Sequence, residues 1–510
     1  MHYDIILIGT GAGGGTLALS LAPTGKKILI LERGHFIPRE RDNWNTDAVF
    51  IESKYKAHET WLDKDGKPFH PGIHYCVGGN TKVYGAALLR MRERDFEEVT
   101  HKGGISPAWP IQYSDLEPYY TAAETLYEVH GERGSDPTEP PASQPYAFPP
   151  LAHEPRIEEL AGDMKKLGLH PFPLPIGVRM GDPNRGDATP VLDRFDGFPD
   201  PSEAKSDSHV VAIKKALLYP NVSLMTDVFV EKLETDATGK TVNQVLARVQ
   251  GEKVSFSADI VAVSCGAVNS AALLLRSAND KHPHGLANGS GVVGRHYMAH
   301  NNSALLAISK KPNPTLFGKT LALNDFYWGS DDFPYPMGHI QMLGKSDPIM
   351  FKEDAPGFAP GFALDYIAKH SLDFWMTSED LPDPDNRVVV HPDGQIGLHY
   401  TENNTEAHQM LMKKLRWMLE HIGAETHLLP NHMYLGKKIP LAGTAHQCGT
   451  IRFGNDPATS ALDIWCRAHE VNNLFVVDGS FFPSSSAVNP ALTIIAQALR
   501  VGDYFKNEVL

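Results

Sequence analysis

A chain of 510 residues is longer than one hydrophobic core normally supports, so two domains are the first expectation. Its hydrophobic fraction of 42% and charged fraction of 21% are those of an ordinary globular protein. The formal net charge of -14, without any strongly basic stretch, argues against nucleic acid or an anionic membrane as a partner, because both require a cationic face.

The cysteines and the N-terminal sequence further restrict the kind of protein and the compartment that we expect. The cysteines are widely spaced and form no CxxC pair, which predicts free thiols: Cys76, Cys265, Cys448 and Cys466. Cys466 and His469 are spaced like half of a zinc site, but no second half follows, so we predict no metal. The apolar run 5–22 follows Asp4 and contains five glycines, unlike a secretory signal or a membrane span. We therefore expect a cytoplasmic protein.

The first predicted elements form a βαβ unit. Residues 3–8 (YDIILI) are a continuous apolar run, which is typical of a strand buried on both faces of a parallel sheet. A glycine-rich turn, the helical sequence LALSLA and a second strand, ILIL, follow within about thirty residues. Similar runs recur at 257–277 and 472–480. The three regions predict one discontinuous nucleotide-binding domain of doubly wound, Rossmann-like α/β type.

The intervening regions are different. The proline-rich stretch 134–152 predicts an extended loop or crossover. Alternating patterns within 303–400, including HIQMLG and RVVVHPDGQIGLHY, predict an antiparallel sheet with one covered face. A helix is predicted at about 406–422, capped by Asn404 or Thr405 and ended by Gly423.

These elements divide the chain into two interleaved domains. The nucleotide-binding domain is expected to take residues 1–150, 201–302 and 439–510. The antiparallel-sheet domain, expected to bind the substrate, takes residues 151–200 and 303–438.

The glycine turn carries the first functional signal. Residues 9–14 match G-x-G-x-x-G between a strand and a helix, the context that dinucleotide binding requires. Gly9 makes the turn, Gly11 lets a pyrophosphate approach the backbone, and Gly14 lets the helix pack closely. Glu32 ends the second strand at the spacing where a carboxylate can bind ribose hydroxyls. The motif predicts a dinucleotide but does not separate NAD from FAD.

A second segment, residues 76–90 (CVGGNTKVYGAALLR), contains a glycine pair followed by small polar residues. This composition suits backbone packed against a flat ligand, and it suits an ordinary tight turn equally well.

The C-terminal stretch 445–500 carries the most specific pattern. It contains H-x-x-G-T-x-R-x-G-x-D-P from His446, the strand ending V-D-G-S, and N-P-x-L-T-I from Asn489. With the glycine fingerprint and the GG segment, in this order and spacing, the chain resembles the glucose–methanol–choline (GMC) oxidoreductases over essentially its whole length. Its C-terminal sequence is most similar to that of the bacterial sugar-oxidising branch.

The resemblance implies FAD as the cofactor. The residues that it places around FAD are Gly9, Gly11, Gly14, Glu32, Arg33, Gly78, Gly79, Asn80, Thr81, Val83, Val230, Asp478, Gly479, Asn489, Pro490 and Ala491. Some members bond FAD covalently through a histidine at the position of Val83. Because valine cannot form that bond, non-covalent FAD is expected.

The resemblance also implies His446 and Asn489 as the catalytic pair of an alcohol oxidation. Histidine suits a base that takes a hydroxyl proton, since its pKa is roughly 6.5, and a neutral amide can hold the same oxygen. His300, Tyr84 and Trp375 are candidates for substrate contact. The expected partners are a small alcohol or sugar and an electron acceptor, which is O₂, a quinone or a redox protein. A lyase on the same fold and a non-catalytic NAD-binding protein are the alternatives.

Overall fold

The structure is a computed structural model that describes residues 2–181, 192–309, 311–351, 361–422, 426–427, 437–443 and 445–510. Its strands in chain order are β1 His2–Ile8, β2 Ile28–Leu31, β3 Trp61–Leu62, β4 Pro68–Phe69, β5 Val99–His101, β6 Gly104–Ser106, β7 Val129–His130, β8 Phe172–Pro173, β9 Ile176–Gly177, β10 Val222–Met225, β11 Val228–Thr235, β12 Val242–Val249, β13 Glu252–Val263, β14 Asn301–Ser309, β15 Leu321–Leu323, β16 His339–Met342, β17 Ser371–Ser378, β18 Arg387–Val390, β19 Ile396–His399, β20 Thr426–His427, β21 Lys437–Lys438 and β22 Leu474–Val476. The α-helices are α1 Ala12–Leu21, α2 Tyr113–Leu126, α3 Pro155–Lys166, α4 Lys214–Ala216, α5 Ala267–Arg276, α6 Gly361–His370, α7 Thr405–His421 and α8 Ala491–Tyr504.

The first sheet is the predicted parallel sheet. Its parallel strands lie in the order β10-β2-β1-β13-β22, so the first, middle and last parts of the chain all contribute. Strand β13 continues beyond the parallel region and pairs antiparallel with β12, which pairs with β11. Strands β1 and β2 are buried over most of their length, and helices α1 and α8 pack against each other. This confirms the Rossmann-like α/β prediction and its discontinuous chain path.

The second sheet is antiparallel, in the order β20-β14-β17-β16-β15-β8, with β21 also on β14. Its apolar face is buried by α3 and α7 in a second core, to which Leu305, Phe374, Leu411 and Leu415 contribute. The helix predicted at 406–422 is confirmed as α7.

The predicted cap of α7 is only partly right. Asn404 is the residue before the helix, but its side chain makes no capping bond. Its Nδ2 instead donates to the carbonyl of Glu379 at 3.0 Å, because the residue is buried against that segment. Gly423 lies outside the described residues.

One strand assignment in the predicted substrate region was wrong. The hairpin β18–β19 does not join the second sheet but pairs through β19 with β3, in a separate four-stranded sheet. Its apolar residues Val388, Ile396 and Leu398 belong to the first core, and β18 contacts α5. The alternating pattern correctly predicted that one face of these strands is covered. It did not indicate which part of the protein covers that face.

The remaining features are simple. Residues 134–152 form no helix or strand, as their prolines predicted. Within the described residues, no helix has the length and apolar character that crossing a membrane requires.

Candidate active site

The carboxyl ends of the parallel strands open on a cavity of about 600 Å³. The cavity runs from the glycine turn after β1, past His446 and Asn489, to the second sheet at Gln341 and Trp375. In open parallel sheets ligands bind at this edge, so the fold itself predicts a binding site here. We call the end beside Glu32 the nucleotide end and the end beside Trp375 the substrate end.

The glycines of the turn have distinct spatial roles. Gly9 has φ +105°, and a Cβ there would lie 2.2 Å from the carbonyl oxygen of Ser264. A Cβ on Gly14 would lie 2.2 Å from the Gly9 oxygen, which supports its predicted role in helix packing. Gly13, which the motif reading did not single out, is tighter still, at 1.8 Å from the Val477 oxygen. Gly11 has no atom within 4 Å of its Cβ position and lines the cavity, so it leaves room for a ligand.

Three helix N-termini meet the cavity. Helices α1, α5 and α8 begin after Gly11, Gly266 and Pro490, and none has a side-chain cap. All three preceding residues line the cavity. The first N–H groups of a helix lack intrahelical partners and carry partial positive charge, so they favour anionic ligand groups.

The nucleotide end combines a buried carboxylate with aromatic rings. Glu32 is 5% exposed and lines the cavity. Its carboxylate accepts hydrogen bonds from the N–H groups of Thr10 at 3.1 Å and Gly34 at 2.8 Å, and burial raises its pKa. The Arg33 guanidinium lies 3.9 Å from the Tyr75 ring centroid. Val230 lines the same end.

The GG segment is tied directly to the glycine turn. Gly78 has φ +99°, and its N–H donates to Thr10 Oγ1 at 2.9 Å, although Gly78 does not itself line the cavity. The next residues do line it: Gly79, Asn80, Thr81, Val83 and Tyr84. The Tyr84 hydroxyl already donates to the Ser206 carbonyl, which limits it to an acceptor role toward a ligand.

Asp478, two residues after the end of β22, joins two of these elements. One carboxylate oxygen accepts from the Gly266 N–H at 3.0 Å and from Ser270 Oγ, and the other accepts from the Ser480 N–H at 2.9 Å. Burial raises the pKa of this carboxyl. The cavity wall continues through Gly479 and Ala491.

His446 and Asn489 meet in the cavity as the sequence predicts. Asn489 Nδ2 lies 3.3 Å from His446 Nε2, across 43 residues of chain. The Asn489 Oδ1 atom is buried and has no hydrogen-bond partner among the described residues. Burial, together with the neighbouring His300 and Lys319, lowers the pKa of His446 well below 6.5. The imidazole is therefore neutral at neutral pH and retains a lone pair.

The candidate substrate residues fall in two places. Trp375 lines the substrate end, opposite Gln341 on the neighbouring strand β16. His300 does not line the cavity. It lies behind His446, with the two Nδ1 atoms 3.0 Å apart and its Nε2 atom 3.2 Å from the Ser485 carbonyl.

Sequence reasoning missed most of the substrate end. Lys319 lines it and pairs with Asp196 at 2.7 Å, and Lys345 donates to the Asn313 carbonyl at 2.9 Å. Phe50 forms another part of the wall. These residues come from separate segments, and no local motif marks any of them.

The cavity fits a flavin adenine dinucleotide. It offers uncapped helix ends for a diphosphate, open backbone at Gly11, a buried carboxylate for ribose hydroxyls, and an unpaired amide oxygen beside a histidine. A dinucleotide site that ends at a histidine–amide pair is the architecture of a dinucleotide-dependent oxidoreductase.

Family models described as GMC oxidoreductase match residues 12–302 and 382–498. The chain belongs to this family, as its motifs indicated. It is an oxidoreductase that acts on CH–OH groups, and FAD is its cofactor.

Three relatives illustrate the range of similarity. The chain is 30% identical to the 6'''-hydroxyparomomycin C oxidase of Streptomyces lividus, over 98% of this chain and 90% of that one. It is 28% identical to the 2-methyl-1,2-propanediol dehydrogenase of Mycolicibacterium austroafricanum, over 98% and 94%. The crystal structure of pyridoxine 4-oxidase from Mesorbium loti superposes with a TM-score of 0.66 at 18% identity, over 99% of both chains, which supports the fold.

Proposed function

We propose that the protein oxidises a hydroxyl group of a small sugar, glycoside or other polyhydroxylated alcohol to a carbonyl, with His446 as the base and Asn489 as its partner. One observation carries this proposal. His446 and Asn489 both line the cavity, where the imidazole is neutral and the amide oxygen has no hydrogen-bond partner among the described residues.

FAD, when bound, would supply the acceptor for the hydride that leaves the carbinol carbon. His446 accepts the hydroxyl proton at Nε2, where the substrate hydroxyl replaces the 3.3 Å contact with Asn489 Nδ2, and the loss of the hydride and the proton together leaves a carbonyl. A positioned base of this kind contributes roughly 10² to 10⁴ in rate. One Asn489 N–H faces His446, which leaves the other free to donate to the oxygen as it becomes anionic. The uncapped start of α8 adds positive partial charge at the same place.

A neutral hydroxylated substrate is supported because the two lysines at the substrate end already have partners within the protein. Lys319 is paired with Asp196, and Lys345 is held by backbone carbonyls. Trp375 and Gln341 present an aromatic face and an amide side by side, the combination that binds a sugar ring and its hydroxyls. The relative from Streptomyces lividus is named as an oxidase of 6'''-hydroxyparomomycin C, a compound whose name includes a hydroxyl group.

We further propose that FAD is held non-covalently, since Val83 offers no bonding atom. Denaturation of the purified protein in acid should release all of its flavin into the supernatant. Flavin that stays with the precipitate would contradict this part of the proposal. Both an oxidase and a dehydrogenase are among the relatives, so reoxidation of the reduced flavin by air should be timed by stopped flow to identify the acceptor class.

The decisive experiment is an anaerobic screen of sugars, glycosides and aryl alcohols, followed by flavin absorbance. At least one should bleach the flavin. His446→Ala should retain bound FAD and lose at least about a hundredfold in the reduction rate. His421→Ala, at an exposed histidine, is the matched control and should behave as wild type. Unchanged reduction in His446→Ala would show that the base is another residue, and FAD that no alcohol reduces would favour a lyase.

A further inference from the structure

We propose that His300 is a positioning residue that fixes the tautomer of His446, keeping the proton on Nδ1 and directing the Nε2 lone pair into the cavity. The inference deepens the proposed function and rests on His446 being its base. His300 does not itself line the cavity but contacts His446, which does.

The hydrogen-bond partners determine the direction of each bond. The Ser485 carbonyl can only accept, so His300 Nε2, 3.2 Å away, must carry a proton. A neutral imidazole has one N–H, so His300 Nδ1 is then a lone pair. The 3.0 Å contact between the two Nδ1 atoms therefore requires that His446 Nδ1 carries the proton.

The other side of His446 agrees with this assignment. If Nδ1 is protonated, Nε2 holds the lone pair, and its neighbour at 3.3 Å is the Asn489 amide nitrogen, which can only donate. Every donor thus meets an acceptor along the row from Ser485 through both histidines to Asn489. The opposite tautomer would place an N–H against the amide nitrogen and leave two lone pairs facing each other.

Both histidines must be neutral for this row to hold. Burial lowers the pKa of His300, and burial lowers the pKa of His446 further, with His300 as the next cause. A proton on both rings is disfavoured because two like charges would face each other at 3.0 Å in a buried site.

The backbone holds His300 in an unusual conformation. Its φ is +56°, in the left-handed region that few residues other than glycine adopt. Asn302 Nδ2 donates to the carbonyls of His300 at 3.1 Å and Ala299 at 3.0 Å, and the Ala299 N–H donates to Asp380 at 2.9 Å. On the other side, Ser485 Oγ donates to the Asp380 carbonyl. The same segment therefore fixes both the ring and its acceptor.

The direct test is the tautomer of His446 in the FAD-loaded enzyme labelled with ¹⁵N-histidine. The His446 signals are identified as those missing from His446→Gln. Wild type should show a protonated Nδ1 and an unprotonated Nε2. In His300→Asn the side-chain oxygen replaces the Nδ1 acceptor, so the pattern should persist. In His300→Leu the acceptor is gone and the Nε2-protonated form should become detectable. An Nε2-protonated wild type, or an unchanged pattern in His300→Leu, would overturn the inference.

Kinetics separates positioning from simple space filling. His300→Leu should reduce the limiting rate of flavin reduction at least about tenfold, with the half-saturating substrate concentration within roughly threefold of wild type. His300→Asn should recover most of that rate. Equal losses in both variants would mean that the ring only fills space. The tautomer measurement is independent of turnover, so a failure of the proposed function would show separately, as unchanged reduction in His446→Ala.

Discussion

The two ends of the cavity are built differently. The nucleotide end is mostly main chain. It consists of glycines packed so closely that an added Cβ would lie only 1.8 to 2.2 Å from a neighbouring backbone oxygen, and of helix starts without side-chain caps. The substrate end is made of side chains such as Phe50, Lys319, Gln341 and Trp375, which are carried by separate segments. Main-chain recognition depends on which residues lack a side chain, whereas side-chain recognition depends on which residues meet in space.

The nucleotide end and the second sheet, with the helix that covers it, also differ in how their buried groups respond to pH. Burial raises the pKa of Glu32 and Asp478 at the nucleotide end, so these carboxyls bind protons more readily in the folded state. In strand β16 of the second sheet and in helix α7, which packs against that sheet, burial lowers the pKa of His339 and His408 from 6.5 to about 4, so these rings resist protonation. Acid therefore acts on the two regions with opposite sign.

The sharpest way to break the main-chain end is Gly13→Ala. The new Cβ would lie 1.8 Å from the Val477 carbonyl, and neither backbone can yield without separating α1 from the end of β22. We expect a loss of about 3 kcal/mol or more in the free energy of unfolding, and loss of FAD with it. Urea denaturation of the apoprotein measures the first. Gly162→Ala, in α3 with no atom within 4 Å of its Cβ position, is the control and should be neutral or slightly stabilising. Equal stability of the two variants would refute the close approach.

The pH comparison is tested on helix α7, which packs against the second sheet, with His408→Gln. The folded pKa of His408 lies below the unfolded value, so its contribution to stability is complete above about pH 6.5 and is lost as the pH falls toward 4. That loss amounts to about 3 kcal/mol in wild type. Because the variant lacks the titrating group, its free energy of unfolding should fall less between pH 7 and 4.5. His421→Gln, at the exposed end of the same helix, should follow wild type. A variant curve parallel to wild type would show that His408 does not contribute.

The difference between the main-chain nucleotide end and the side-chain substrate end also explains how much of the site could be predicted from the sequence. The βαβ unit and the positions of Gly9, Gly11 and Gly14 in its turn were predictable because strand burial, turn and helix start are encoded within about thirty adjacent residues. The His446–Asn489 pair was predictable only through the spacing of family motifs, since 43 residues separate its members. Lys319 and Gln341 carry no local signature, and their position depends on how the second sheet lies over the first.

Some signals were present but incomplete. The β18–β19 segment was predicted correctly as antiparallel strands and wrongly as part of the second sheet, because an alternating pattern indicates that one face is covered but not what covers it. His300 was nominated for substrate contact from its sequence alone. The structure places it against His446, the proposed base, instead.

A smaller effect at the nucleotide end should come from Gly11→Ala. No protein atom lies within 4 Å of this Cβ position, so the stability of the apoprotein should be unchanged. A methyl group there would occupy the space that a diphosphate needs, and FAD affinity should fall by at least about tenfold. Titration of apoprotein with FAD, followed by flavin fluorescence, measures this. Unchanged affinity would mean that the diphosphate does not pass Gly11, whereas a destabilised apoprotein would mean that the position is packed after all.

The smallest expected effect tests the side-chain end through Trp375→Ala. Trp375 lines the cavity, while its neighbour Phe374 points to the opposite face of β17 and is buried in the second core. Loss of an aromatic face typically costs about 0.5 to 1.5 kcal/mol, so the half-saturating concentration of the best substrate should rise roughly threefold to tenfold. FAD content should not change, because the nucleotide end does not depend on this side chain. Phe374→Leu should do the reverse, lowering the melting temperature and leaving substrate affinity unchanged. If Trp375→Ala instead lost FAD, the two ends would not be separable, and the substrate would have to lie against another part of the wall.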